Sequence, residues 1–219
     1  IDGAMKVGYN WKLGPFEMID QIGASSMVER LESSGREVPK LIRLAAEKDG
    51  FYTTVESQIK RLSPDGKMVT VDRAETNLTV ADLKRGGEPL KRNGSASIWD
   101  MGDRVLLVEY HTKMNAMDPQ NMEMLLNAVE MAKSGEWKGI VIGNDAPNFC
   151  AGANLGLALF ASNLGAWKEL EDFISLGQDT YQAVKYADVP IVAASAGMCL
   201  GGGAEILMHC DTVQAHAES

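Results

Sequence analysis

Three observations predict an α/β fold. From about residue 96 onward, short apolar strands alternate with segments of helical spacing, the order that builds a sheet covered by helices. Two of those strands run straight into small-residue loops, near 144–155 and 196–205. Ahead of them, residues 1 to about 62 show helical spacing broken by Gly-Pro and Asp-Gly, with no alternating strand pattern. The expected division is a helical part over 1–62, a connector over 63–95 and an α/β part over 96–219.

In the first part, Gly14-Pro15 ends one segment and opens another, since Pro suits the first helical turn. Phe16, Ile19, Ile22 and Gly23 follow at helical spacing. Pro39 opens residues 40–48, which Asp49-Gly50 closes. The connector is polar, with Ser63-Pro64-Asp65-Gly66, Lys84-Arg85-Gly86-Gly87 and Lys91-Arg92-Asn93-Gly94, and predicts at most short ordered pieces. Residues 97–101 and 105–110 are strands about a hairpin-like turn at Gly102-Asp103. Asp118-Pro119 supplies an N-cap and first turn, and Met122, Leu125, Leu126, Val129 and Met131 the apolar side of the next helix. Residues 139–143 and 190–194 are short buried strands. Between them, residues 167–185 have helical spacing through Leu170, Phe173, Ile174, Tyr181 and Val184.

Composition excludes several classes. The 219 residues suffice for one or two domains with a sizeable core, and 45% hydrophobic with 23% charged residues is ordinary for a globular protein. A net charge of −9 lacks the basic footprint of a nucleic-acid binder, and no apolar run approaches a membrane span. Cys150, Cys199 and Cys210 have no paired spacing, which argues against disulfides and structural zinc and suits a reducing cytoplasm. His209 and His216 lack a spaced partner set, so no metal is assigned. Lys84, Arg85, Lys91 and Arg92 could meet phosphates, against the plainer reading of a solvated charge run. The chain starts at Ile1 without an initiator Met and stops soon after an apolar segment, so it reads as a piece of a longer protein.

Residues 197–206, GMCLGGGAEI, carry the chemistry. A dinucleotide loop fails because Ile206 stands where its third glycine belongs, and a P-loop fails because no Lys follows Lys185. Two readings remain. The glycines could permit close packing where a helix starts against the sheet. Alternatively, their unpaired N–H groups could hold a developing oxyanion beside Glu205. Glu205 itself is either a proton-moving group, if apolar neighbours enclose it, or a carboxylate that complements the helix dipole. The loop at 144–155 tips the balance, because an oxyanion hole commonly uses two N–H donors and two separate strand-to-helix loops can supply one each.

These motifs resemble a known family. Residues 148–155, NFCAGANL, are similar to the F-C/S-A-G-A-D-L/I loop of the crotonase (enoyl-CoA hydratase/isomerase) superfamily. Residues 196–206 resemble its N/A-G-x-x-x-G-G-G-x-E-L block, Cys210-Asp211 its trailing C/S-D, and Asn115-Ala116-Met117 its N-A-L/M segment. The resemblance implies a ββα spiral and an oxyanion hole formed by the N–H groups of Ala153 and Gly202 around an acyl-CoA thioester carbonyl. Glu205 then matches the first of two catalytic glutamates, and Ala151, Gly152, Asn154, Leu155 and Gly201 line the substrate. Asn154 departs from the usual Asp. The second glutamate of hydratases lies further along than the residues 206–219 that follow Glu205, so little hydratase activity is expected of this chain alone.

Residues 1–8 and 11–23 resemble the D-x-A-M-x-x-G…G-P-F-E-x-x-D-x-x-G stretch of the 3-hydroxyacyl-CoA dehydrogenase C-terminal helical domain. That implies a fused β-oxidation enzyme with the dehydrogenase part first. Acyl-CoA is then the substrate, NAD belongs to the parent's upstream part, and this chain holds no cofactor. A homo-oligomer is expected, with neither nucleic acid nor membrane as partner. An isomerase or another crotonase-type acyl-CoA enzyme is the alternative activity, and a non-catalytic scaffold fragment the alternative of another class.

Overall fold

The computed structural model describes residues 1–72 and 78–217, so residues 73–77 of the expected connector and the last two of the α/β part lie outside it. The chain forms two compact units, Ile1–Asn77 and Leu78–Ser219.

The first unit holds helices α1 (Asp2–Tyr9), α2 (Pro15–Ile22), α3 (Ala24–Ser33) and α4 (Lys40–Glu47), with α2 and α4 starting where Gly14-Pro15 and Pro39 placed them. The Asp2 carboxylate accepts the Phe16 and Glu17 N–H groups at the head of α2, at 3.0 and 3.1 Å, which satisfies two of that helix's unpaired donors. Phe16 and Phe51, with ring centroids 4.6 Å apart, pack with Ala24, Ala45 and Leu62 in the unit's core.

Helical character does not extend to residue 62. Residues 52–62 form an antiparallel hairpin, β1 (Tyr52–Val55) and β2 (Gln58–Leu62), and β3 (Met68–Thr70) extends it. The β-branched run Thr53-Thr54-Val55 suits a strand. Glu56 and Ser57 turn it with φ of 50° and 65°, the left-handed geometry that matches strand twist in a two-residue loop. The rest of the expected connector holds α5 (Val80–Gly86) and the short β4 (Lys91–Arg92).

The second unit is built on a six-stranded sheet. To β4 it adds β5 (Ala96–Asp100), β6 (Val105–Tyr110), β7 (Gly139–Gly143), β9 (Ile191–Ser195) and β11 (Thr212–Ala215), in the order β11-β9-β7-β6-β5-β4. Strands β6, β7, β9 and β11 run parallel, while β4 and β5 are antiparallel additions. Alternation sorts each strand between two faces. Ile98, Leu106, Val108, Ile140, Ile142, Ile191 and Ala193 join the main core with α6 (Pro119–Ala132) and α8 (Trp167–Lys185). Trp99, Leu107 and Val141 face the other way, against Val80 and Leu83 of α5. Asp118 caps α6 by accepting the Asn121 N–H at 2.9 Å.

Two further short strands, β8 (Asn148–Cys150) and β10 (Met198–Cys199), pair in parallel away from the main sheet. Each leads into a helix, α7 (Leu155–Asn163) and α9 (Gly202–His209) respectively. The second of these helices starts inside the glycine run. Among the described residues no helix is long and apolar enough to cross a membrane.

Candidate active site

Loops that follow β7 and β9 meet because β8 and β10 pair between them. Leu200 N–H donates to the Cys150 carbonyl at 3.0 Å, which continues that pairing to the edge of α9. The segment 113–117 closes the third side. Asn115, buried, donates from Nδ2 to the Asn148 carbonyl at 2.9 Å, and Asn121 Nδ2 donates to the Ala116 carbonyl at 3.0 Å. The Asn115-Ala116-Met117 motif is thus a clamp on the loop at 144–155.

That clamp settles which way Ala153 points. Met117 and Ala153 form an isolated parallel bridge, in which Met117 N–H donates to Gly152 O and Asn154 N–H to Met117 O, both at 2.8 Å. In a parallel bridge the residue between those two contacts turns its own N–H away from the partner strand. The N–H of Ala153 is therefore directed outward, and among the described residues it has no acceptor. Gly202 is the first residue of α9, where N–H groups have no intrahelical acceptor, and its N–H is likewise without one among the described residues. The two donors are close: a methyl group built on Gly202 would sit 3.6 Å from the Ala153 nitrogen, and one on Gly152 would sit 3.4 Å from the Gly202 nitrogen.

The three glycines have three separate reasons. Gly201, the N-cap of α9, has φ 50° and ψ −122°, a conformation that a side chain strongly disfavours. A methyl on Gly202 would meet Tyr181 Oη at 2.8 Å and Met117 Sδ at 3.0 Å. One on Gly203 would meet the Cys150 carbonyl oxygen at 2.5 Å and its Cβ at 2.7 Å. Gly203 is thus a packing position, while the N–H of Gly202 faces no acceptor among the described residues.

Glu205 stands one turn after Gly202 on α9. It is exposed rather than enclosed by apolar neighbours. Ala151 and Gly152 lie in the loop against α9, and Asn154 Oδ1 accepts the Leu157 N–H at 3.4 Å as the N-cap of α7. Asn and Asp serve that cap equally, which explains why the departure from Asp leaves the loop intact. Leu155 is 70% exposed and is not brought into an enclosed cavity. Of the basic residues weighed for phosphates, Lys84 pairs with the buried Glu109 at 2.6 Å, Arg85 pairs with Asp82, and Lys91 donates to Asn127 Oδ1 at 3.0 Å.

One residue escaped the sequence reading. Tyr181 of α8, read there only as an apolar helix position, directs its hydroxyl to the Gly202 carbonyl at 3.3 Å and Met117 Sδ at 3.4 Å. Its pKa is raised, first by burial and then by the charge of Glu205 and hydrogen bonding with it, so the hydroxyl stays protonated. A Tyr on a packed helix face needs a partner for its hydroxyl, and that need was the available signal.

All three cysteines are free. Burial pushes the thiols of Cys150 and Cys210 up to about 11 and about 12, which leaves almost no thiolate at neutral pH. At pH 8, iodoacetamide is expected to leave both unmodified in the folded chain while alkylating them in urea; modification at equal rates would refute their inert, packed role.

Comparison with known proteins follows the same lines. Residues 103–219 match the family described as enoyl-CoA hydratase/isomerase. Across its whole length the chain is 35% identical to a Bacillus subtilis protein named "Probable 3-hydroxyacyl-CoA dehydrogenase" and 28% identical to a Rickettsia felis protein named "Putative fatty acid oxidation complex trifunctional enzyme". It spans only 28% and 27% of those two proteins. The fold resembles the crystal structure of an enoyl-CoA hydratase from Polaromonas sp. JS666, with a TM-score of 0.54 at 24% identity over 57% of this chain and 49% of that one.

Proposed function

The chain belongs to the enoyl-CoA hydratase/isomerase family, and we propose that its second unit carries the oxyanion hole and first proton-moving carboxylate of a 2-enoyl-CoA hydratase. The observation that carries this reading is the pair of N–H groups of Ala153 and Gly202, without acceptors among the described residues and brought together from two loops near Glu205. The thioester carbonyl oxygen accepts both N–H groups. As water oxygen adds to C3, Glu205 takes the water proton, and the pair of electrons displaced from the C2–C3 double bond develops as enolate charge on the thioester oxygen. Two preorganised donors stabilise that charge far better than they stabilise the neutral carbonyl. A proton then reaches C2 to complete the addition. The exposed apolar residues Leu155, Leu159 and Phe160 of α7 offer surface for the acyl tail beside the donors.

The parent polypeptide is proposed to be bifunctional, with NAD-dependent 3-hydroxyacyl-CoA oxidation following hydration. Whole-length similarity to proteins named for dehydrogenase and fatty acid oxidation activities supports that reading, as do the motifs over residues 1–23.

Titration of the ¹⁵N-labelled chain with acetoacetyl-CoA tests the hole directly. The Ala153 and Gly202 amide resonances are expected to shift together and saturate at one affinity, without turnover of crotonyl-CoA by this chain alone. Saturable binding that leaves both amides unmoved would refute the assignment of the donors, and absence of binding would favour a scaffold role.

A further inference from the structure

We propose that Tyr181 is a positioning residue that holds the first turn of α9, and with it the Gly202 donor, in register. The inference rests on the hydratase reading above and adds to it a residue outside the glycine and alanine loops.

Tyr181 meets α9 at both ends. At the first turn its hydroxyl donates to the Gly202 carbonyl at 3.3 Å, and a methyl placed on Gly202 would sit 2.8 Å from that oxygen. At the last turn its ring stacks on His209, with centroids 5.3 Å apart and planes 24° apart. His209 Nδ1 in turn lies 2.7 Å from the Glu205 carbonyl oxygen. Glu205 sits between these contacts on α9, and the hydroxyl itself meets Gly202 O and Met117 Sδ.

α8 packs on the main core through buried Gly177, Thr180 and Val184, and Met117 Sδ lies beside the hydroxyl. The phenol's single hydrogen goes to the Gly202 carbonyl, which fixes the first peptide of α9 and so the direction of the N–H groups at its start. Small errors in that placement are costly, because the donors must meet the developing charge at hydrogen-bond distance.

The test uses the full-length polypeptide and hydration of crotonyl-CoA, with Y181F, E205Q and the double variant. Y181F keeps the ring that stacks on His209 and removes only the hydroxyl. It is expected to lower kcat about tenfold, the scale of one lost hydrogen bond, with KM within about twofold and an unchanged Tm. Because the hydroxyl acts on the Gly202 donor and not through Glu205, the two losses are expected to multiply in the double variant. Wild-type kcat in Y181F, a loss confined to KM, or a double variant no slower than E205Q would each overturn the inference while leaving the hydratase reading intact. Full turnover by E205Q would instead overturn the role of Glu205.

Discussion

Gly203→Ala is expected to destabilise the second unit by about 3 kcal/mol or more, because the added methyl has nowhere to go. It would lie 2.5 Å from the Cys150 carbonyl oxygen, 2.7 Å from Cys150 Cβ and 3.0 Å from its Sγ. Those atoms belong to β8, which is pinned on both sides. Cys150 O already accepts the Leu200 N–H, and Ala151 N–H donates to Met114 O at 3.2 Å. Cys150 is also fully buried among core side chains, so it cannot retreat. Relief requires α9 to lift from β8, and that movement breaks the junction which brings the Ala153 and Gly202 loops together. For a chain of this size the loss corresponds to a fall in Tm of about 6 °C or more. Thermal unfolding, with amide exchange across 202–209, reads both effects. A Tm within about 2 °C of the parent would show that Gly203 is not a packing residue.

The sequence makes some of this legible and hides the rest for identifiable reasons. Strands β5, β6, β7 and β9 and helices α6 and α8 follow directly from alternation, Pro and cap residues, because each buries its own apolar pattern locally. The β1–β2 hairpin does not, since Glu56-Ser57 lacks the Asn-Gly signature of its turn type and the left-handed geometry is imposed by strand pairing. α5 was readable. Thr79 and Asp82 form a capping box, with Thr79 N–H donating to Asp82 Oδ2 at 2.8 Å, but a polar, basic stretch around it read as connector. At the site, the glycine run and the 148–155 loop show in sequence because their demand is for missing side chains. Tyr181 does not, because its role depends on which atoms α8 meets across the core, and its local spacing fits an ordinary packed helix.

If Gly202 supplies the proposed oxyanion donor, Gly202→Ala separates recognition of the transition state from folding, and is expected to lower kcat for 2-enoyl-CoA hydration by the proposed parent polypeptide about 10²–10³-fold. The contrast with Gly203 lies in what surrounds the new methyl. Around Gly202 the nearest atoms are Tyr181 Oη at 2.8 Å and Met117 Sδ at 3.0 Å, both side-chain atoms that can give by a few tenths of an ångström, whereas a backbone carbonyl stands against Gly203. Folding is therefore expected to survive with a loss of about 1–2 kcal/mol. The site does not survive so well. The methyl comes within 3.6 Å of the Ala153 nitrogen, in the space between the two donors, and the shift of Tyr181 releases the Gly202 carbonyl that orients the first turn of α9. A thioester oxygen can then reach at most one N–H with good geometry. Because charge on that oxygen grows as the reaction proceeds, the loss falls mainly on kcat, and KM changes less. Steady-state kinetics beside a melting curve decide the matter: a near-parental Tm with a collapsed kcat fits the donor role, while a kcat within threefold of the parent removes Gly202 from the oxyanion hole.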